Sequence, residues 1–218
     1  PNPQVHPYWN PEFFGDVIVV NGTSWPYMNV EPRRYRLRFL NGSNARFYDL
    51  NLGTSKLSFW HIGTDGGLLD APVNTKNLFI APGERADVIV DFAAVAGSTI
   101  TMMNTAKAPY PKGTAPDPST VGQIMQFRVG TVVTGGTDTS FNPAAAGATL
   151  RGGASQPPLI VRLADPIKGT VAAGVTPDLN RLLTLKEVAT KTGPLEVLVN
   201  NTKWDGTLSP NAGGITEL

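Results

Sequence analysis

Tyr35-Arg36-Leu37-Arg38-Phe39-Leu40, closed by Asn41-Gly42-Ser43-Asn44, is the stretch that decides the fold. Apolar and basic side chains alternate along it with a period of two. That is the pattern of a strand with one buried face and one wet face. Asn, Gly and Ser then supply turn chemistry. The same signal recurs on both sides. Val17-Ile18-Val19-Val20 is a β-branched run closed by Asn21-Gly22, a strong turn dipeptide. A short strand is expected over 25–30, and alternating strands over 47–52 and 57–62. Further strands are expected over 77–80, 87–92, 98–104 and 123–129. About nine short strands, spaced by roughly 8–14 residues with turn residues between them, indicate an all-β sandwich or barrel. It is assigned to residues 17–130, where no amphipathic helix is visible.

Outside that core the chain changes character. Residues 1–16 hold four prolines and read as an extended entry segment. Residues 131–175 are a Gly/Ala/Pro-rich linker, most pure in composition over 131–158. Residues 176–218 regain apolar runs, and 178–189 fits a helix or a strand. An internal echo joins the two ends. Val17-Ile18-Val19-Val20-Asn21-Gly22-Thr23-Ser24-Trp25 is matched by Glu196-Val197-Leu198-Val199-Asn200-Asn201-Thr202-Lys203-Trp204. Both are an apolar strand, an Asn-containing turn, then Thr-x-Trp. A repeated unit suggests duplicated domains, here one complete sandwich and the opening strands of a second. Such strands leave unpaired edges, so self-association through them is expected. The first residue is Pro1, not Met, and the chain is expected to be a piece of a longer one.

Composition excludes several functions. Lys+Arg 18 against Asp+Glu 17 leaves a net charge of +1, without the basic excess of a nucleic-acid binder. No run approaches the ~18 apolar residues a membrane-crossing helix needs. Residues 1–20 lack the basic start and apolar run of a secretion signal. Gly 23 and Pro 19 make up about a fifth of the 218 residues, so the chain is loop-rich. Cys is 0, which removes disulfides, thiolate metal sites and cysteine nucleophiles.

The residues able to carry chemistry are few. His6 and His61 are the only imidazoles, and a catalytic metal site needs about three protein ligands. A packed or surface role is expected for both. Asp87 and Asp91 share one face of a strand, with Glu84 and Arg85 nearby. Paired carboxylates can do acid–base work. Here a structural role is expected, with Arg85 forking onto a carboxylate to pin a turn. Gly63-Thr64-Asp65-Gly66-Gly67 lacks the Lys-Ser/Thr of a phosphate loop and is read as a turn. Asn21, Asn41 and Asn200 begin N-x-Ser/Thr triplets, all at turns. Arg33, Arg34, Arg36 and Arg38 form a basic strip, expected to be balanced by acidic neighbours on a solvated or interdomain face. No catalytic, cofactor-binding or metal residue is assigned.

Several motifs in order carry a family likeness. They are Phe14-Gly15-Asp16-Val17-Ile18-Val19-Val20-Asn21-Gly22, Trp25-Pro26-Tyr27, Val30-Glu31-Pro32-Arg33-Arg34-Tyr35-Arg36-Leu37-Arg38, Leu40-Asn41-Gly42-Ser43-Asn44-Ala45-Arg46, Ile62-Gly63-Thr64-Asp65-Gly66-Gly67-Leu68-Leu69 and 81–92. Together they resemble the second cupredoxin-like domain of multicopper oxidases, within the bacterial spore-coat laccase, bilirubin oxidase and phenoxazinone synthase group. Residues 181–205 resemble the first strands of the third domain. The resemblance implies a cupredoxin-like Greek-key sandwich between flanking first and third cupredoxin domains. It implies a parent enzyme with a mononuclear copper and a trinuclear copper cluster. That enzyme would oxidise phenolic, aromatic or metal substrates, reduce dioxygen to water, and reside outside the cytoplasm. The family's copper ligands come as His-x-His pairs and a His-Cys-His, none of which this sequence contains. No copper ligand is carried over. The expectation is a non-catalytic linking domain, or alternatively a copper-free structural or interaction module of the same fold.

Overall fold

A computed structural model describes residues 12–151, 164, 168, 170–190 and 193–202. They fall into two units, one up to Arg151 and one from Ala164 onward.

The first unit begins with a hairpin of β1 (Val19–Val20) and β2 (Thr23–Ser24). Its turn is Asn21 at φ 49° and Gly22 at φ 84°. Two consecutive left-handed residues make the turn whose twist matches a hairpin, which is why Asn-Gly stands there. Next come β3 (Tyr27–Val30), β4 (Arg34–Leu40), β5 (Tyr48–Asn51), β6 (Phe59–Thr64), β7 (Gly67–Thr75), β8 (Leu78–Ile80), β9 (Arg85–Asp91), β10 (Thr99–Asn104) and β11 (Gln123–Val129). A single 3-10 turn over Ala93–Val95 interrupts them. No α-helix occurs among the described residues.

Two sheets form. One has the order β3-β11-β10-β5-β8, the other β4-β9-β6-β7. Chain connections pass repeatedly from one sheet to the other. All pairings are antiparallel except β3 with β11. Alternation fixes which side chains face inward. In β9, Ala86, Val88 and Val90 are buried, while Arg85, Asp87 and Asp91 lie on the other face. In β4, Tyr35, Leu37 and Phe39 pack on the core and the three arginines turn outward. Phe59, Val88, Val90, Phe92, Met102 and Phe127 form its fully buried centre, drawn from both sheets. Phe92 lies edge-on to Tyr35 at 5.9 Å and tilted on Phe127 at 5.1 Å, so one ring joins the two layers.

The strands read from the sequence are present with boundaries moved by a few residues. β7 is the main exception, since no strand was expected over 67–75; the two-residue β2 was not expected either. β7 contains Pro72, which cannot donate to a ladder, and it is the edge of its sheet, the place where such a residue is tolerated. The register shifts between His61 and Gly63, and Ile62 at that shift is buried.

The Gly/Ala/Pro-rich stretch from 131 to Arg151 contains no strand but is tied to the sandwich. Asp138 meets Arg34, the Leu150 N–H donates to the Asp70 carbonyl at 3.0 Å, and Arg151 donates to the Leu68 carbonyl at 3.1 Å. Pro143 is buried, whereas Ala144 to Gly147 are all exposed.

In the second unit, β12 (Leu185–Thr190) and β13 (Gly193–Val199) form an antiparallel hairpin. Residues 185–189 of the segment left open between helix and strand are thus strand. The turn after β13 has Asn200 at φ 51° and Asn201 at φ 60°. The sequence echo is therefore also a conformational one, since both copies end a strand in a turn of two left-handed residues.

Candidate functional site

The arginines of β4 and the carboxylates Asp87 and Asp91 of β9 lie on the outer face of the β4-β9-β6-β7 sheet. Directly opposed residues in antiparallel strands share a face. Arg36, Ile89, Trp60 and Asn74 thus form one row across it. Ile89 is buried there, between residues whose long side chains can cover it. The Arg36 guanidinium forks onto Asp87, with Nε 2.9 Å from Oδ1 and Nη2 donating to Oδ2. This bond raises the Arg36 pKa still further above its ordinary value. Arg38 lies 4.0 Å from the same carboxylate.

Arg85 pins a turn, as expected, though its partner is Asp65. Its Nη1 is 3.2 Å from Asp65 Oδ1, and its backbone N–H donates to the same oxygen at 3.0 Å. The turn it holds is Gly63–Gly67, which joins β6 to β7. The other carboxylates serve the backbone. Asp91 accepts the Ala93 N–H at 3.0 Å and Glu84 accepts the Ala81 N–H at 2.6 Å. Asp87 and Asp91 share a face, but each is committed to its own partner.

His61 sits in β6 opposite Val88 and Val73. Its Nε2 is 2.9 Å from the Gly63 carbonyl. A carbonyl only accepts, so Nε2 carries the proton in this contact. His6 lies outside the described residues. Among the described residues, no three His, Cys, Asp or Glu side chains gather as a metal cluster.

Asn41 is buried. Its Nδ2 donates to the carbonyls of Arg46 at 2.8 Å and Ile80 at 3.1 Å, and its Oδ1 accepts the Ser43 N–H at 3.0 Å. This asparagine organises the turn after β4. Asn21 is exposed at its hairpin turn, and Asn200 accepts the Thr184 N–H at 2.8 Å.

Arg33, Arg34 and Arg36 of the basic strip have close counterions while Arg38 has only Asp87 at 4.0 Å, and the main counterion is one the sequence hides. Asp138 stands 104 residues beyond Arg34, in the stretch without strands. Asp138 Oδ2 accepts the Arg34 N–H at 2.9 Å and lies 3.2 Å from Arg34 Nε. Arg34 Nη2 donates to the carbonyls of Asp138 and Ser140. Arg33 lies 3.5 Å from Glu31 and 3.8 Å from Asp138. The Ser140 hydroxyl foremost, then the Arg34 N–H, hold the Asp138 carboxyl well below the usual carboxylate range. Thr134 lowers Glu31 in the same way. A depressed folded-state pKa contributes stability above the unfolded value of about 4, which is lost as pH falls toward the folded one. Asp138→Asn is therefore expected to lower stability at neutral pH and to flatten the decline below about pH 4. Urea melts of both chains from pH 7 to pH 2 check this; parallel curves would contradict it.

A second exposed feature has no sequence signal. Phe47, Phe79 and Tyr110 stack with centroids 5.6, 5.1 and 4.8 Å apart on the β5–β8 side. Tyr110 reaches the cluster from a loop between Pro109 and Pro111, where no periodicity reports its direction.

Two sheets with crossing connections, a shared core and a charged outer face define a cupredoxin-like domain. The profile described as multicopper oxidase matches residues 9–125, and the chain belongs to that family. It is 48% identical over 124 residues to "Multicopper oxidase LPR1 homolog 5" of Oryza sativa subsp. japonica, covering 56% of this chain and 20% of that protein. It is 37% identical over 211 residues to a laccase of Bacillus stratosphericus, covering 97% of this chain and 36% of that protein. The crystal structure of the McoA multicopper oxidase from Aquifex aeolicus aligns with TM-score 0.56 and 30% identity, over 89% of this chain and 37% of that one. The chain thus spans about a fifth to a third of the length of these relatives. The family implies copper, but the donors described here do not fit a copper centre. The sequence holds no cysteine and only 2 His, and no three His, Cys, Asp or Glu side chains gather among the described residues.

Proposed function

We propose that this chain is a non-catalytic linking part of a laccase-like multicopper oxidase. In that reading residues 17–130 are the middle cupredoxin domain, 131–175 connect onward, and 176–218 begin the next domain. The flanking first and third cupredoxin domains are its partners. They would hold the mononuclear copper and the trinuclear cluster, with phenolic, aromatic or metal substrates, dioxygen as oxidant, and a location outside the cytoplasm. The donor inventory carries the reading. A blue-copper site needs two His, a Cys and a weak axial ligand, and the sequence holds no Cys and only 2 His. The small share of each relative that the chain covers supports it. So does the second hairpin, which repeats the β1–β2 turn.

Copper analysis and oxidation of a phenolic dye test it, on the 218-residue chain and on the same chain joined to flanking domains. Stoichiometric copper and dye oxidation are expected only in the joined form. A blue, copper-loaded 218-residue chain would overturn the proposal. A joined form without copper would favour the copper-free interaction module instead, a reading the exposed aromatic cluster of Phe47, Phe79 and Tyr110 also suits.

A further inference from the structure

Strand β4 stands at the edge of its sheet. Its hydrogen-bond phase follows from two contacts. The Asn41 N–H donates to the Glu84 carbonyl, and the Phe92 N–H to the Arg33 carbonyl. With Arg36 opposite Ile89 and Arg38 opposite Asp87, the odd-numbered residues bond to β9. The backbone groups of Arg34, Arg36, Arg38 and Leu40 therefore point away from it. Asp138 takes the N–H of Arg34. Among the described residues, nothing takes those of Arg36, Arg38 and Leu40.

Beside this edge a cavity of about 620 Å³ opens between the sheets. Val17, Val19, Met28 and Leu40 stand among its lining, with Met102 and Phe127 from the core. Leu40 is 66% exposed and Val19 58%, unusual values for apolar side chains beside a core. The charge at this edge is also incomplete. Arg34 is matched by Asp138 and Arg36 by Asp87. Arg38 is 77% exposed, and its Nε lies 4.0 Å from Asp87 Oδ2, the oxygen that Arg36 Nη2 already holds.

An open ladder, an apolar trough beneath it and a largely exposed cation that shares its counterion specify one kind of occupant. We infer that β4 accepts an extended peptide strand of alternating apolar and acidic residues, added to its free edge, with the apolar residues over the cavity and a carboxylate at Arg38. Strand addition of this kind takes affinity from main-chain bonds and selectivity from alternate side chains. A second copy of this chain fits poorly. Pairing β4 with itself would set its outward arginines against their own equivalents, and like charges across a ladder are destabilising. The inference stands on β4 itself and does not rest on the spacer reading.

The test titrates the isotope-labelled 218-residue chain with a heptapeptide alternating valine and glutamate, and with one alternating valine and lysine. The glutamate peptide is expected to shift the amide signals of Arg36, Arg38 and Leu40 and to slow their hydrogen exchange. The lysine peptide is expected to leave them unchanged. Arg38→Glu, at an exposed position, is expected to keep a folded spectrum and to weaken the glutamate peptide about tenfold, the size of one charge-assisted contact. The same variant should gain affinity for the lysine peptide. Three results would overturn the inference. They are unmoved β4 amides at millimolar peptide, equal binding of both peptides, or concentration-dependent β4 signals showing that the chain pairs with itself there.

Discussion

Phe92→Ala is expected to lower the free energy of unfolding by about 3–5 kcal/mol, the usual cost of deleting a buried ring. Phe92 follows β9 directly, is fully buried, and touches Tyr35 from one sheet and Phe127 from the other. Removing it withdraws aromatic contact from both layers at once. The backbone there is held independently, by the Phe92 N–H to the Arg33 carbonyl and by the Val95 N–H to the Phe92 carbonyl. The site therefore cannot collapse easily around the missing ring, and the residual cavity adds to the lost transfer energy. A denaturant melt of the two chains measures the difference. A loss below about 1 kcal/mol, the range of an ordinary substitution, would show that the sheets are joined elsewhere.

Asn41→Ala comes second, at about 2–4 kcal/mol, because each stranded buried polar group costs about 1–3 kcal/mol. The substitution leaves the Arg46 and Ile80 carbonyls without their amide donor and the Ser43 N–H without its acceptor. Asn41→Asp separates the two halves of the effect. It keeps the acceptor for Ser43 but sets a carboxylate oxygen against two carbonyl oxygens. It is expected to be at least as damaging as alanine above about pH 5, and to recover in part when acid protonates it. Melts at pH 7 and pH 4 check this. Equal stability of the Asp variant and the parent at pH 7 would refute the role given to the amide.

How far the sequence disclosed these features depends on the range over which each is written. The alternation in β4 and β9 is local, so both strands and their inward faces could be read directly from Tyr35 to Leu40 and from Ala86 to Val90. The Asn-Gly turn is likewise local, and its echo at Asn200-Asn201 proved to be the same backbone shape. Strand β7 was hidden because Pro72 and the flanking glycines mimic a loop, and only its edge position makes them permissible. The counterions of the arginine strip were hidden for a different reason. Arg36 finds Asp87 51 residues away and Arg34 finds Asp138 at 104, and nothing in the chain near either arginine names the partner. Arg85 was read as a pin for a turn, and the turn could be guessed, but not that Asp65 would supply the carboxylate. The open edge of β4 was beyond reach for the same cause, since which strand is last in a sheet is a property of the assembled order.

The stretch from 131 to 151 is fastened at Asp138 and again at Leu150 and Arg151, with four small exposed residues, Ala144 to Gly147, between the anchors. Because both ends are pinned by the protein itself, lengthening the span between them adds only closure entropy, about 0.6 kcal/mol for each doubling. Ala145–Ala146 is therefore a natural position for splicing in an affinity tag or a fluorescent reporter without disturbing either sheet.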